Sequence, residues 1–259
     1  MLKISPLYSG SKGNCTLIQS DNANILLDAG FSYRGILRAL ESRGLTAKDI
    51  DAIVITHEHS DHISALPLWT KSTPTPIYAP RLIADYLQQR VYFSEVNAID
   101  GSFAISDVNI DIYECSHDAR CCCGYRFRQG EHCFGCVTDT GCITDVLVEF
   151  LAPCSAIMLE SNHDVDMLVK GEYSYPLKKR ILSDFGHLSN AQTAEILSKL
   201  VGHKPKNIIL AHLSEQNNTR ELAFSSAINM YTARGLTEGK DINVYVADQY
   251  KNEITICID

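Results

Sequence analysis

Three histidines and two carboxylates crowd into seven consecutive residues, Thr-His-Glu-His-Ser-Asp-His, at positions 56–62. Neutral imidazole and carboxylate are the usual protein ligands for Zn²⁺, Mn²⁺ and Fe²⁺. A cluster this dense can bind two metal ions roughly 3.5–4 Å apart. At this spacing the two metal ions can bind both the attacking and the leaving oxygen of a hydrolysis. We therefore predict a dinuclear metal site on this segment.

The elements on either side of this segment can position its side chains. Residues 51–55, Asp-Ala-Ile-Val-Ile, read as a buried strand that ends just before the first histidine, and a helical pattern follows the segment. In the loop between them, His57 and His59 can converge on one ion. Asp61 and His62 begin the predicted helix, and their side chains can turn toward a second ion.

Short strand-like runs alternate with helical segments over the rest of the chain. Strands are predicted at 2–7, 14–19, 24–28, 51–55, 155–159, 206–211, 242–246 and 253–258, with several antiparallel strands over 102–138. Helices are predicted at 32–42, 61–71, 143–151, 189–200 and 217–234. Two sheets packed face to face, with helices outside, satisfy this α/β pattern. We expect a single domain over residues 1–259.

Composition limits the class of protein. Of the 259 residues 45% are apolar, which is enough for a sizeable core. No apolar run is long enough for a membrane helix and the start of the chain has no signal-peptide pattern, so we expect a cytoplasmic protein without a membrane partner. The net charge of −8 gives no support to a generally basic nucleic-acid surface. A local patch at Lys178-Lys179-Arg180 stays open, although a solvated helix face explains it equally well.

Ten cysteines are distributed along the chain. In a long chain without an export signal they are expected to be reduced thiols rather than a disulfide framework. Cys133 and Cys136 form a single C-x-x-C pair, which is weak evidence for a structural zinc. We interpret these two residues as buried thiols.

The pattern His-x-His-x-Asp-His at 57–62 resembles the signature of the metallo-β-lactamase superfamily, and later motifs follow in the same order. They are Cys-Ser-His117-Asp, Val-Thr-Asp139-Thr-Gly and Ala-His212-Leu-Ser. The resemblance implies a four-layer αβ/βα sandwich that binds two divalent metal ions, Zn²⁺ or Mn²⁺ with Fe²⁺ possible. The ligands it implies are His57, His59 and His117 for the first ion, Asp61, His62 and His212 for the second, and Asp139 with a hydroxide between them.

The same resemblance assigns further roles. Asp61 is implied to be catalytic as well as a ligand, and Asp28 is expected to hydrogen-bond the ligand loop. The segment Gly186-His187-Leu-Ser-Asn resembles a motif of the tRNA-processing phosphodiesterases of this superfamily. His187 is therefore expected to contact the phosphate or to protonate the leaving oxygen as a general acid. A helix-capping or hinge role for His187 is the alternative.

Several segments together are similar to the YycJ/WalJ family of bacterial metallo-β-lactamase-fold proteins. They are Ser9-Gly-Ser-Lys-Gly-Asn-Cys15, Asp28-Ala-Gly30, His117-Asp-Ala, Glu160-Ser-Asn-His-Asp164, Gly186-His-Leu-Ser-Asn190 and His212-Leu-Ser-Glu-Gln-Asn-Asn-Thr219. The family resemblance implies a nuclease-type phosphodiesterase with DNA exonuclease activity. His163, inside the fourth segment, is a candidate for metal or phosphate contact, with a loop hydrogen-bond donor as the alternative.

Three functions compete at this point. The first is a phosphodiesterase or exonuclease whose substrate is DNA or RNA. The second is a hydrolase of a small phosphodiester or thioester, which the same metal site would serve. The third is a non-catalytic metal-binding scaffold, against which a complete ligand set argues.

Overall fold

Two seven-stranded sheets form the centre of the molecule. The structure, a computed structural model, describes residues 1–251 and 253–258. Sheet A has the order β14-β1-β2-β3-β4-β5-β6 and sheet B the order β13-β12-β11-β10-β9-β8-β7. The strands are β1 (Leu2–Tyr8), β2 (Cys15–Gln19), β3 (Asn24–Leu27), β4 (Ala52–Val54), β5 (Ile77–Pro80), β6 (Val96–Ile99), β7 (Phe103–Ile105), β8 (Val108–Glu114), β9 (Cys123–Gln129), β10 (His132–Val137), β11 (Ala156–Glu160), β12 (Asn207–Ala211), β13 (Asn243–Val246) and β14 (Ile256–Ile258).

Helices cover the outer face of each sheet. In the described residues they are α1 (Tyr33–Glu41), α2 (Ser60–Ile63), α3 (Leu66–Ser72), α4 (Arg81–Gln88), α5 (Asp145–Leu151), α6 (Val165–Lys170), α7 (Tyr175–Ile181), α8 (Asn190–Lys199) and α9 (Arg220–Ala233). Helices α1, α3 and α4 share an apolar cluster with sheet A, and α5, α8 and α9 share one with sheet B. None of the described helices is long and apolar enough to cross a lipid bilayer.

The alternation of side chains along each strand separates the layers. In β11, Met158 faces the cluster between the two sheets, whereas Ile157 and Leu159 face the helices outside sheet B. In β3, Ile25 faces the same inner cluster and Leu26 faces the helices outside sheet A. Because neighbouring strand residues point to opposite faces, each buried strand contributes to two cores. The result is the predicted four-layer αβ/βα sandwich.

The two halves of the chain use the same sheet plan. In sheet A, β3, β4, β5 and β6 pair in parallel, and in sheet B, β10, β11, β12 and β13 do so. The remaining pairs in both sheets are antiparallel. Within each sheet, parallel neighbours end at the same edge. Residues that follow β3 and β4 can therefore meet, and so can residues that follow β10, β11 and β12.

Most of the predicted elements are confirmed, with ends that shift by up to three residues. The helix predicted over 61–71 is wrong as a single element, because it divides into α2 and α3. Pro67 lies in the first turn of α3 and cannot donate a backbone hydrogen bond to the preceding turn. The structure also adds β5, α4 and β6 between residues 77 and 99, and the short helices α6 and α7.

Candidate metal centre

The candidate ligands lie at the ends of strands. The segment 57–62 follows β4, His117 follows β8, Asp139 follows β10 and His212 follows β12. Asp139 and His212 have positive φ angles of 58° and 55°, and Asp28, directly after β3, has 61°. Non-glycine residues seldom adopt this left-handed conformation, which concentrates at functional sites. Here it turns the chain at the strand end, where these three side chains meet the other members of the cluster.

All seven predicted ligands belong to four overlapping groups of possible metal ligands. Within each group the possible ligand atoms lie within 4.8 Å of one another. The groups are His57 with His59 and His117, Asp61 with His62 and His212, His57 with His62 and Asp139, and Asp139 with Glu160, His187 and His212. The first two groups consist of the residues predicted for the two ion sites. The role of each residue as a ligand stays a prediction.

Unpaired atoms inside the cluster test whether it suits metal ions. The Nε2 atoms of His57 and His117 and the Oδ2 atom of Asp139 are buried without a hydrogen-bond partner. The other ring nitrogen of His117 lies 3.1 Å from the backbone oxygen of Gly186, to which it can donate. Buried polar atoms rarely stay unpaired, because their desolvation costs free energy. Divalent ions bound by these nitrogen and oxygen atoms would satisfy them, so the residues fit the predicted ions.

Asp28 makes the contact that was expected of it. Its carboxylate accepts a hydrogen bond of 2.7 Å from His62 Nδ1 and one of 2.9 Å from the Thr56 backbone amide. The first bond fixes the tautomer of His62 and leaves Nε2 toward the cluster. The second bond holds the start of the ligand loop. Asp28 thus positions two parts of the segment 56–62 at once.

The charges in the cluster differ from those of free side chains. Burial lowers the pKa of His57, which favours the neutral imidazole that metal ions bind. Burial also acts to lower the pKa of His62, but Asp28 and Asp139 raise it well above its usual value. Burial opposes ionisation of Asp61, yet hydrogen bonds from His212 and His62 hold its pKa far below normal. The Asp61 carboxylate therefore stays ionised and attracts cations.

Glu160 is a site residue to which the sequence reasoning gave no role. Its side chain is fully buried, and its Oε1 accepts hydrogen bonds from His187 Nδ1 at 2.7 Å and His212 Nδ1 at 2.9 Å. Its Oε2 accepts from the backbone amides of Thr140 and Leu188. Burial would raise the pKa of Glu160, but His187 and His212 lower it. The sequence did contain a signal for a role of Glu160, because this glutamate ends a strand that is otherwise rich in apolar residues.

His187 lies in the wall of the candidate catalytic pocket. With Nδ1 bonded to Glu160, its Nε2 is the ring nitrogen left for a substrate. The cavity has a volume of about 220 Å³. Its walls are formed by Ser11, His59, Asp61, His117, Asp139, Asn162, Tyr173, Leu177, Arg180, Ile181, His187, His212 and Ser214.

The structure does not bring His163 to this pocket or into the candidate ligand groups of the described residues. The side chain is buried, both ring nitrogens lack a hydrogen-bond partner, and burial lowers its pKa to about 4. Its backbone pairs with Ser189 and accepts a bond from the Asn190 amide. The ring lies outside the walls of the pocket and outside the ligand groups, so contact of His163 with metal or phosphate stays a prediction. Its backbone supports the segment that carries His187.

The segment Ser9–Cys15 supports the site from the opposite side. Ser9 Oγ accepts a hydrogen bond of 2.9 Å from the His212 backbone amide. The side-chain nitrogen of Asn14 lies 3.0 Å from His62 Nε2, and the Asn14 backbone bonds Asp61 and Gly30. The first turn of the chain therefore fixes ligands from both halves of the fold.

The cysteines behave as thiols. All ten are unpaired, and Cys133 and Cys136 are both buried, as predicted. Cys133 contributes to the core outside sheet B, whereas Cys136 contributes to the core between the sheets. Because residues three apart on a strand point to opposite faces, the two thiols cannot share one zinc ion.

Comparisons with known proteins agree with this geometry. The family model for the beta-lactamase superfamily domain matches residues 23–213. The chain is 35% identical over 250 residues to exodeoxyribonuclease WalJ of Streptococcus pneumoniae serotype 2. The aligned residues cover 94% of this chain and 93% of that protein. It is 32% identical over 255 residues to exodeoxyribonuclease YycJ of Bacillus anthracis, covering 95% and 96%.

A solved structure shares the fold. The metallo-β-lactamase fold protein YhfI from Bacillus subtilis superimposes with a TM-score of 0.77 and 17% identity, over 98% of both chains. At that identity the likeness concerns the fold alone. The sequence matches, together with the site geometry, also indicate the family. The chain belongs to the metallo-β-lactamase superfamily of metal-dependent hydrolases, in the group that includes WalJ and YycJ.

Proposed function

We propose that this protein is a phosphodiesterase that degrades DNA from strand ends with the help of two divalent metal ions. The observation that carries the proposal is the hydrogen bond between Glu160 and His187 in the wall of the pocket that the candidate ligands line. The names of the relatives, both exodeoxyribonucleases, support DNA as the substrate. The nitrogen and oxygen donors suit Zn²⁺ or Mn²⁺. The unpaired thiols favour a reducing compartment, so we assign the protein to the cytoplasm.

Two sets of residues would hold the ions. His57, His59 and His117 form one set and Asp61, His62 and His212 the other, with Asp139 in contact with both. Bound there, the ions would supply Lewis-acid activation of water and positive charge for the phosphate.

His187 supplies the proton that the reaction needs. When a phosphodiester bond breaks, the departing sugar oxygen is a poor leaving group until it is protonated. Protonated His187 donates through Nδ1 to Glu160 and can give its Nε2 proton to that oxygen. The 2.7 Å bond also fixes the orientation of the ring in the pocket wall.

Arg180 gives the pocket wall a fixed positive group. Its guanidinium bonds both carboxylate oxygens of Asp118, and the Asp118 hydrogen bonds raise the pKa of Arg180. A guanidinium held in this way still has N–H groups that can bind a phosphate oxygen. We propose that Arg180 contacts the phosphate of the bound DNA end.

The catalytic pocket is small. Its volume of about 220 Å³ lies below the roughly 300–1,000 Å³ of most ligand sites, so it holds one phosphodiester group of the substrate rather than a length of duplex. The same size favours the second candidate, a hydrolase of a small phosphodiester.

The deciding experiment compares the wild type with His187→Ala, with Mn²⁺ or Zn²⁺ restored after chelation. The substrates are 5′-labelled single- and double-stranded DNA and bis(p-nitrophenyl) phosphate, whose p-nitrophenolate leaves without protonation. We expect His187→Ala to lose roughly 10²–10⁴-fold of its DNA cleavage but little of its ester hydrolysis, with metal content unchanged. If the wild type hydrolyses only the small ester, the small-phosphodiester candidate replaces the nuclease.

A further inference from the structure

A second groove lies beside α7, separate from the catalytic pocket. Its volume is about 520 Å³. It is lined by Val169, Tyr175, Lys178, Lys179, Leu182 and Ser183. The opposite side of α7 contributes Leu177, Arg180 and Ile181 to the catalytic pocket. One helix, roughly 10 Å across, therefore separates the two cavities.

The groove combines exposed apolar surface with positive charge. Tyr175 is 78% exposed, and Val169 and Leu182 are each about half exposed, at 55% and 49%. An exposed apolar patch that is bordered by polar residues is the kind of surface that binds a partner. No carboxylate is among the described residues that line the groove.

The two lysines keep their charge available. Lys178 Nζ donates hydrogen bonds to the backbone oxygens of Val169 at 2.8 Å and Gly171 at 2.7 Å. These neutral acceptors hold the side chain in place without cancelling its charge. Lys179 has neither a hydrogen bond nor an ion pair with the described side chains. The groove is thus a local exception on a chain whose net charge is −8.

We propose, on the basis of the proposed function, that this groove binds single-stranded DNA that runs from the catalytic pocket over α7. Unpaired bases can stack on Tyr175 while the phosphates lie against Lys178 and Lys179. A duplex offers only its phosphates to such a surface, because its base faces are already stacked. An acidic protein needs a local cationic contact of this kind, since phosphate neutralisation dominates nucleic-acid affinity.

A second aromatic side chain lies close to the path. Phe185 is 60% exposed and precedes His187 by two residues. Its backbone oxygen accepts a hydrogen bond from the amide of Asp118, which also binds Arg180. Phe185 is therefore tied to the catalytic pocket at its backbone while its ring is open to solvent.

The test measures KM for a long oligothymidylate and for the p-nitrophenyl ester of thymidine 5′-phosphate, which reaches only the catalytic pocket. Tyr175→Ala and Lys179→Glu are compared with the wild type and with Tyr92→Ala, which changes another exposed tyrosine (60%) between α4 and β6. We expect KM for the oligomer to rise at least about fivefold in the two groove variants, because a stacking or phosphate contact is lost. KM for the ester, and both values for Tyr92→Ala, should not change.

The outcomes separate this inference from the proposed function. If the wild type cleaves the oligomer and both groove variants keep its KM, the groove does not bind DNA, although the nuclease proposal stands. If the wild type cleaves neither substrate, the proposed function fails first. Light scattering completes the test, because a dimer that Tyr175→Ala dissociates would assign the groove to a second copy of the chain and overturn the inference.

Discussion

Replacing Glu160 with glutamine tests the role of the hydrogen bond between Glu160 and His187 in catalysis. The carboxylate accepts from two imidazoles, His187 and His212, through Oε1, and from two backbone amides, Thr140 and Leu188, through Oε2. A glutamine has the same size but only one accepting oxygen. In either orientation its NH₂ group faces two donors, so two hydrogen bonds are lost and the negative charge beside the imidazoles disappears.

The magnitude follows from those contacts. Each buried donor left without an acceptor costs roughly 1–3 kcal/mol, so Glu160→Gln should lower the free energy of unfolding by at least about 2 kcal/mol. His187 loses the hydrogen bond that fixes its tautomer and the orientation of its ring. Since general acid catalysis contributes roughly 10²–10⁴-fold, kcat for DNA should fall about a hundredfold or more.

The assay compares two leaving groups in the metal-restored enzyme. Cleavage of DNA requires protonation of a sugar oxygen, whereas bis(p-nitrophenyl) phosphate does not, so kcat should fall for DNA much more than for the ester. Glu149→Gln, an exposed substitution on α5, is the control and should behave as wild type. If both substrates lose activity equally, Glu160 acts through His212 and the metal ions, and the assignment of His187 as the acid is refuted.

Two further predictions concern the fold around the site. Gly30→Ala should destabilise the protein by roughly 1–3 kcal/mol or more and weaken metal binding. The reason is steric, because the added carbon would lie 1.6 Å from the backbone oxygen of Asp61. Thermal melts measure the loss of stability, and metal titration measures the loss of affinity. Asp111→Asn should cost about 1 kcal/mol at pH 7 by urea unfolding, because it loses charge-assisted bonds from Arg126 and Arg128.

The controls for these predictions use the same chain. Gly101→Ala adds a carbon with no atom within 4 Å, so an equal loss there would contradict the steric account of Gly30. Burial raises the pKa of Asp111, but hydrogen bonds from Arg128, Ser102 and Arg126 lower it overall. Its stabilisation is therefore complete above the unfolded pKa of about 3.9 and is lost as the pH falls through the folded value. A cost of Asp111→Asn that stays constant into acid would contradict this.

Local sequence was enough for the strands with strong apolar patterns and for the metal motif. Residues 51–55 carry an apolar run directly before His57, and that order of strand and ligand survives in the fold. Strand β5 was not predicted, because Ile77–Pro80 is short, follows Pro76 directly and itself ends in a proline. It forms because it pairs with β4 and β6, whose contacts the local pattern does not contain.

The sequence by itself determined which side chains were available for chemistry and that they would follow strands. Only the tertiary structure decided what each of them meets. Parallel pairing of β11 with β10 and β12 brings Glu160 between His187 and His212, which lie 27 and 52 residues away along the chain. The fold also buries His163, which lies outside the walls of the pocket. Contacts between residues so far apart depend on sheet register and strand order, which no local pattern of residues encodes.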